Sequence, residues 1–291
     1  MEAVVTMHDE ADLSAWVGRS ETIEDTFDAR PVVGLCATLD YPHAHVDRGT
    51  LLPPLWHWLY FLPMHRQSEI GPDGHPKRGG FLPPVALPRR MWAGSQLEFR
   101  MPLRVGDRVV RTSTIEDVTT KSGRTGSLVF VKVRHELRPN GEAEAAVVEA
   151  HDIVYRDARR PTDVDPPPQR APESATWRRT VVPDDVLLFR YSALTFNGHR
   201  IHYDRRYVTE VEGYPGLIVH GPLIATLLLD LLRREAPDAR VAGFGFKAVR
   251  PTFDGHPFDV NGAPSADGRR VHLWATDHEG WLTMDATATL C

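Results

Sequence analysis

Residues Pro222 to Arg234, PLIATLLLDLLRR, limit what this chain can fold into more than any other stretch. Leu223, Ile224, Leu227, Leu228, Leu231 and Leu232 cover most of a helical circumference, and a helix apolar nearly all round must be wrapped by other structure. Pro222 suits the first helical position, and Arg233 and Arg234 suit the negative end of the dipole. Upstream, Val186 to Tyr191 reads as a short extended run leading to Thr195-Phe196-Asn197. A polar turn then carries Asn197, His199, His202 and Asp204, and a loop punctuated by Gly and Pro ends in His220-Gly221. The start of a buried helix is thus set to face imidazoles and amides.

The first half repeats this order in weaker form. Leu51 to Leu62, LLPPLWHWLYFL, is apolar and aromatic, and with Pro53 and Pro54 in its first turn it predicts a buried helix from about Pro54 to Phe61. Its likeness to the Pro222 helix hints at an internal duplication. Asp9 to Trp16 suggests a short opening helix and Ser20 to Asp25 a polar turn, whereas Val32 to Ala37 fits strand or helix equally. Gly71 to Pro88 is too rich in Gly and Pro for regular structure, and a loop of that length is usually functional or mobile. Strands follow at Met91–Phe99, Arg108–Val118, Leu128–Leu137 and Glu144–Tyr155, with a hairpin signal at Asn140-Gly141. Val129, Val131 and Val133 alternate there against Lys132, Arg134 and Glu136.

Proline crowds the segment 157–176, which reads as a semi-rigid linker. It divides the chain into 1–156 and 177–291. In the second part, strands are expected at Val241–Val249, Phe253–Asn261, Arg269–Thr276 and Trp281–Leu290. The economical architecture is α+β: in each half one long buried helix wrapped by a curved antiparallel sheet.

Composition excludes several classes. With a net charge of −5, no basic excess is available for nucleic acid. No apolar run approaches the roughly 18 residues needed to span a bilayer. The N-terminus lacks a basic region followed by an apolar core, so no signal peptide is expected. Cys36 and Cys291 make neither a disulfide framework nor a metal-ligand spacing, which points to a reducing, cytoplasmic setting. No Walker loop, dinucleotide fingerprint or metal-spaced His/Cys set occurs.

The order of elements, with Thr195-Phe196-Asn197-Gly198-His199-Arg200-Ile201-His202 ahead of His220-Gly221, resembles the hotdog fold, and the pair of halves resembles the double hotdog of MaoC-like hydratases and dehydratases. That family's catalytic His falls on His202, and its catalytic Asp falls on Asn197, which cannot titrate. The T-F-N-x-H-x-I-H variant, with DGHPKRGGFLPPVALPRRMWAGS in the first half, is similar to one subgroup. It holds mesaconyl-C4-CoA (3-methylfumaryl-CoA) and itaconyl-CoA hydratases and the mitochondrial type 2 3-hydroxyacyl-thioester dehydratases. The resemblance implies a hydro-lyase adding water reversibly to a short or branched enoyl-CoA, with CoA entering as part of the substrate and no other cofactor or metal. A hotdog thioesterase and an inactive acyl-thioester-binding subunit remain the alternatives, and monomer and homodimer are both open.

Hydration needs a base for water, an acid for the α-carbon and donors for the thioester oxygen. On this reading His202 is the acid/base, Asn197 holds water or substrate through its amide, and the Gly221 N–H at the helix start polarises the carbonyl. His199, Arg200, His220 and Trp58 are candidates for substrate contact, with Arg89 and Arg90 as further cations for a dicarboxylate-derived acyl group. Lys247 and Arg250, on the strand after the helix, are candidates for the CoA phosphates. Asp204 is either an orienter of His202 or a helix cap, and Asp230 is the only acid inside the helix that a thioesterase would recruit.

Overall fold

The computed structural model describes residues 13–42, 45–123, 126–158 and 167–291. Ten strands form one antiparallel sheet: β1 (Ser20–Thr26), β2 (Arg89–Phe99), β3 (Arg108–Gly123), β4 (Gly126–Pro139), β5 (Val147–Arg156), β6 (Trp177–Val181), β7 (Val241–Ala248), β8 (Phe258–Pro264), β9 (Arg270–Thr276) and β10 (Leu282–Leu290). Their spatial order is β1-β3-β4-β5-β2-β7-β10-β9-β8-β6. Read inward from either edge, the order is the same: first, third, fourth, fifth, second strand of each set of five. The duplication hinted at by two apolar stretches is therefore present in the strand topology. The sets meet through β2 and β7, paired from Gly94↔Lys247 to Glu98↔Gly243, so the two expected sheets are one continuous sheet.

Among the described residues four α-helices accompany the sheet: α1 (Ala29–Thr38), α2 (Asp185–Leu194), α3 (Arg205–Glu210) and α4 (Gly221–Glu235). The Pro222 helix forms as expected. Every residue of α4 from Leu223 to Leu232 is buried, and the helix packs on β6, β8, β9 and β10. Several expectations are corrected. Val186–Tyr191 is helical within α2, where Asp184 caps the start by accepting from the Leu187 amide at 2.8 Å. Ser20–Asp25 is strand β1 and β6 went unforeseen, while Val32–Ala37, open between strand and helix in the sequence, lies in α1. Of the opening helix at Asp9–Trp16, Leu13–Trp16 is a single 3-10 turn and residues 9–12 lie outside the described residues, as do 159–166 of the proline-rich segment.

The largest difference lies in the first half. The helix expected at Pro54–Phe61 is one 3-10 turn, Trp56–Leu59. Leu55 and Phe61 both adopt left-handed backbone, with φ of 70° and 54°, and bracket that turn so that no helix propagates through either. The side chains of His57 and Trp58 instead turn to a buried carboxylate, Glu149.

Candidate active site

The candidate turn is built by the end of α2. The Asn197 amide donates to the Ser192 carbonyl at 2.9 Å and the Phe196 amide to Ala193 at 3.4 Å, a Schellman closure. That closure needs a left-handed residue, and Phe196 supplies it at φ 47° where glycine is usual, at roughly 1–2 kcal/mol. Asn197 then accepts the His199 amide at 3.0 Å through Oδ1, which fixes the flip of its side chain. Its NH2 has no partner among the described residues and is the group left for a ligand.

His202 sits in a 3-10 turn, Arg200–His202. Its Nδ1–H donates to the Ile218 carbonyl at 2.7 Å, so Nε2 carries the free lone pair. Burial pushes its pKa down to about 4 despite that carbonyl, so the ring is neutral and basic at pH 7. Behind it, His220 stacks at 3.8 Å with an interplanar angle of 18° and bonds Ser192 Oγ through Nε2 at 2.8 Å. Burial and then His202 hold His220 well below the usual histidine range.

A loop of the first half closes on this turn. The Arg200 amide donates to the Asp73 carbonyl at 2.9 Å, and Arg200 Nη1 to the Pro72 carbonyl at 2.9 Å. Gly74, at φ 89°, lies so close to Gly198 that a Cβ would overlap its carbonyl. The loop delivers His75, whose Nδ1–H donates to Asp73 Oδ2 at 3.0 Å and whose ring lies 3.9 Å from that of His199. Burial, then the His75 imidazole, press His199 far down. Asp73, His75 and His199 bring one ligand-type atom each within 4.8 Å of one another, a grouping that chain spacing conceals.

His202, Asn197, His199 and Gly221 line one cleft of about 2390 Å³, together with Asp73, His75 and Arg250. A second cavity of about 770 Å³ shares the Asn197 wall and takes in Trp58, Arg200 and Pro222. The Gly221 amide belongs to the start of α4, where Pro222 offers no donor. Other candidates are placed elsewhere. His220 lines neither cavity and supports His202 from behind. Lys247 is exposed on β7 with Asp285 and Gly94 as strand neighbours, and the fold does not bring it to the cleft. Arg200 reaches the smaller cavity, but its guanidinium is committed to Asp204 and Pro72. Asp204 caps α3 by accepting the Tyr207 amide at 3.0 Å, so it does not orient His202.

The family model for hydroxyacyl-thioester dehydratase type 2 matches residues 55–254. The chain belongs to that family. Among its relatives, the mesaconyl-C(4)-CoA hydratase of Chloroflexus aurantiacus is 45% identical, over 96% of this chain and 98% of that protein. The mitochondrial hydroxyacyl-thioester dehydratase type 2 of Schizosaccharomyces pombe is 26% identical over 77% and 80%. A solved MaoC-like dehydratase superposes at a TM-score of 0.72 with 14% identity, covering 96% of this chain and 99% of the other. A Mycobacterium tuberculosis protein described as a double hotdog superposes at 0.57 with 14% identity, covering 94% and 96%. This member of the type 2 family therefore has the α+β double hotdog fold.

Sequence reasoning missed Asp73 and His75, though it marked their loop as functional or mobile. It also missed the polar inner face of the first half, formed by Arg111, His135, Glu149 and His151. One signal was available. His135 continues the phase of Val129, Val131 and Val133 on β4, and Arg111 shares a phase with buried Val109 and Ile115 on β3.

Proposed function

We propose that this chain is an acyl-CoA hydratase that adds water reversibly across the double bond of a short, branched enoyl thioester of the mesaconyl-C4-CoA type. The supporting observation is the neutral His202, its Nε2 lone pair exposed to a cleft that also holds the start of α4. His202 Nε2 takes a proton from water as the oxygen bonds the β-carbon. The Asn197 NH2 holds that water or the substrate oxygen, and the Gly221 N–H bears the charge that develops on the thioester oxygen. The imidazolium, stabilised by the Ile218 carbonyl, returns its proton to the α-carbon. One imidazole thereby serves both steps, since Asn197 exchanges no proton.

CoA enters as part of the substrate and no separate cofactor takes part. Its phosphates meet Arg90 and Arg250 along the wider cleft. Two unpaired cysteines, buried Cys36 and exposed Cys291, fit a cytoplasmic setting. No helix among the described residues is long and apolar enough to cross a membrane. A thioesterase reading would recruit Asp230. That carboxylate is already bonded by Tyr41, Arg179, Arg233 and Arg234, at 2.5 to 3.1 Å.

The test follows enoyl absorbance and free thiol together with mesaconyl-C4-CoA. Loss of absorbance without thiol release is expected. Thiol release overturns the reading in favour of hydrolysis, and no change in either overturns catalysis. Asn197→Asp replaces the donor NH2 by an acceptor oxygen, and a fall in kcat is expected. An unchanged or raised rate would assign the Asn197 position a proton-transfer role instead.

A further inference from the structure

The inner face of the first half holds a cation without an anion. Arg111 rises from β3 in phase with buried Val109 and Ile115. Its Nε is buried with no hydrogen-bond partner, and its guanidinium lies 4.9 Å over the ring of Phe61. No described residue forms a hydrogen bond or salt bridge with it. Three carboxylates act on it only at longer range: Glu21, Glu149 and Asp25.

None of them is bonded to it. Glu149 is saturated, bonded to His57 Nε2 at 3.0 Å, His151 Nε2 at 2.5 Å and Trp58 Nε1 at 3.1 Å. Asp25 accepts two backbone amides, from Thr26 and Phe61, at 2.7 Å each. Glu21 stands on β1 opposite Ser113, one inward position further along β3. A guanidinium with a buried, unpartnered Nε and no bonded anion, bordering two cavities, is placed to take an anion that arrives from outside.

The position of Arg111 says what brings that anion. Arg111, His135 and His151 line both cavities, and Asn197 is on the wall of each. A ligand whose reacting carbons lie at Asn197 can therefore extend into the space that Arg111 closes. Trp92, 4.1 Å from the His151 ring, and Phe61 give that space flat apolar sides. We propose that Arg111 seats a free carboxylate at the end of the acyl chain, so that the site selects mono-thioesters of dicarboxylic acids over plain acyl thioesters. This deepens the hydratase reading and rests on it for the placement of the reacting carbons. It assigns to Arg111 the role that the sequence offered to Arg200, whose donors are spent on Asp204 and Pro72.

The deciding measurement is calorimetric binding of succinyl-CoA and butyryl-CoA, which match in chain length and differ by the carboxylate, to the full chain and to R111M, R111K and R90Q. Wild type should prefer succinyl-CoA by on the order of 10- to 100-fold, the range of a charge-assisted fork. R111M should lose that preference while moving butyryl-CoA far less, and R111K should retain part of it. R90Q should weaken both ligands alike. No preference in wild type, an equal drop for both ligands in R111M, or a preference lost in R90Q instead would overturn the assignment. Unchanged circular dichroism shows that R111M is folded, and if it is not, R111K and wild type decide alone. Hydration of mesaconyl-C4-CoA and 3-methylcrotonyl-CoA is read in parallel. A carboxylate preference without loss of enoyl absorbance sinks the hydratase reading and spares the subsite, whereas hydration of both at equal kcat/KM does the reverse.

Discussion

The two halves share one strand order and have opposite interiors. In the second, the sheet closes over α4, and one apolar cluster joins the leucines and Ile224 of the helix with Val260, Val271, Leu273 and Ala275 of the sheet. In the first, the equivalent space holds a single 3-10 turn and a carboxylate ringed by His57, His151 and Trp58. A hotdog sheet thus does not require its long helix. The helix gives the second half a rigid, donor-rich start to aim at a carbonyl, and without it the first half has room for a polar wall and the Gly71–Pro88 loop. On the function proposed above the halves divide the labour: one carries the acid/base, the other shapes and charges the space beside it.

The largest expected effect tests that division. His202→Ala should lower kcat by about 10²–10⁴, the usual share of a general base, with unchanged circular dichroism. His75→Ala, in the first-half loop, should cost far less, because His75 has its ring against His199 rather than the cleft's reacting end. An equal loss in both variants would place proton transfer in both halves and break the comparison.

The interiors themselves differ in what removes their stability. Leu228→Ala, at a side chain with no exposure in α4, should cost about 2–5 kcal/mol by urea denaturation, with little change between pH 6 and 8. Glu149→Gln should cost about 3 kcal/mol, since it replaces a buried carboxylate that His57, His151 and Trp58 all bond. A near-neutral result for Glu149→Gln would mean that the polar wall is kept for the ligand alone.

These contrasts were unevenly legible in the sequence. The second-half helix was plain because α4 is apolar on nearly every face and carries its own end signals, Pro222 and Arg233-Arg234. The first-half helix was misjudged because LLPPLWHWLYFL has the same hydrophobicity, and nothing in it announces the left-handed Leu55 and Phe61 that stop it. His202 and Asn197 were found through a motif local in sequence. The Asp73–His75 pair and Arg111 reach the site through tertiary approach, the first through the Gly74–Gly198 contact, and no local pattern records such an approach. Val186–Tyr191 was read as extended although Asp184 offers a cap, because the branched and aromatic residues in it favour strands until packing overrides them.

The joint between the halves gives a smaller effect. Gly74→Ala puts a Cβ into the Gly198 carbonyl at a φ that side chains resist. The loop must withdraw, releasing the Asp73 carbonyl from the Arg200 amide. A fall in kcat of about tenfold, with a urea midpoint close to wild type, is expected because misplacement near a reacting group alone costs on that scale. A fall in stability with unchanged kcat would show that the loop only braces the fold.

The last effect is acid sensitivity, and its sign follows from the buried imidazoles. His202 titrates in the folded chain at about 4 against 6.5 in an exposed histidine, and burial drives His199, His220 and His135 the same way. As pH falls through 6.5 the unfolded chain binds these protons and the folded chain does not, so stability declines by up to about 1.4 kcal/mol per pH unit for each group. The loss runs from 6.5 down to about 4 for His202. The lowered carboxylates Glu149 and Asp230 add to it only below their ordinary values, near 4. Urea midpoints at pH 7, 6 and 5 should therefore fall steadily. His199→Asn should flatten that slope by about one proton, as should His135→Gln in the first half. Three of the four imidazoles belong to the second half, so a slope abolished by His135→Gln alone would move the acid-sensitive centre to the polar half.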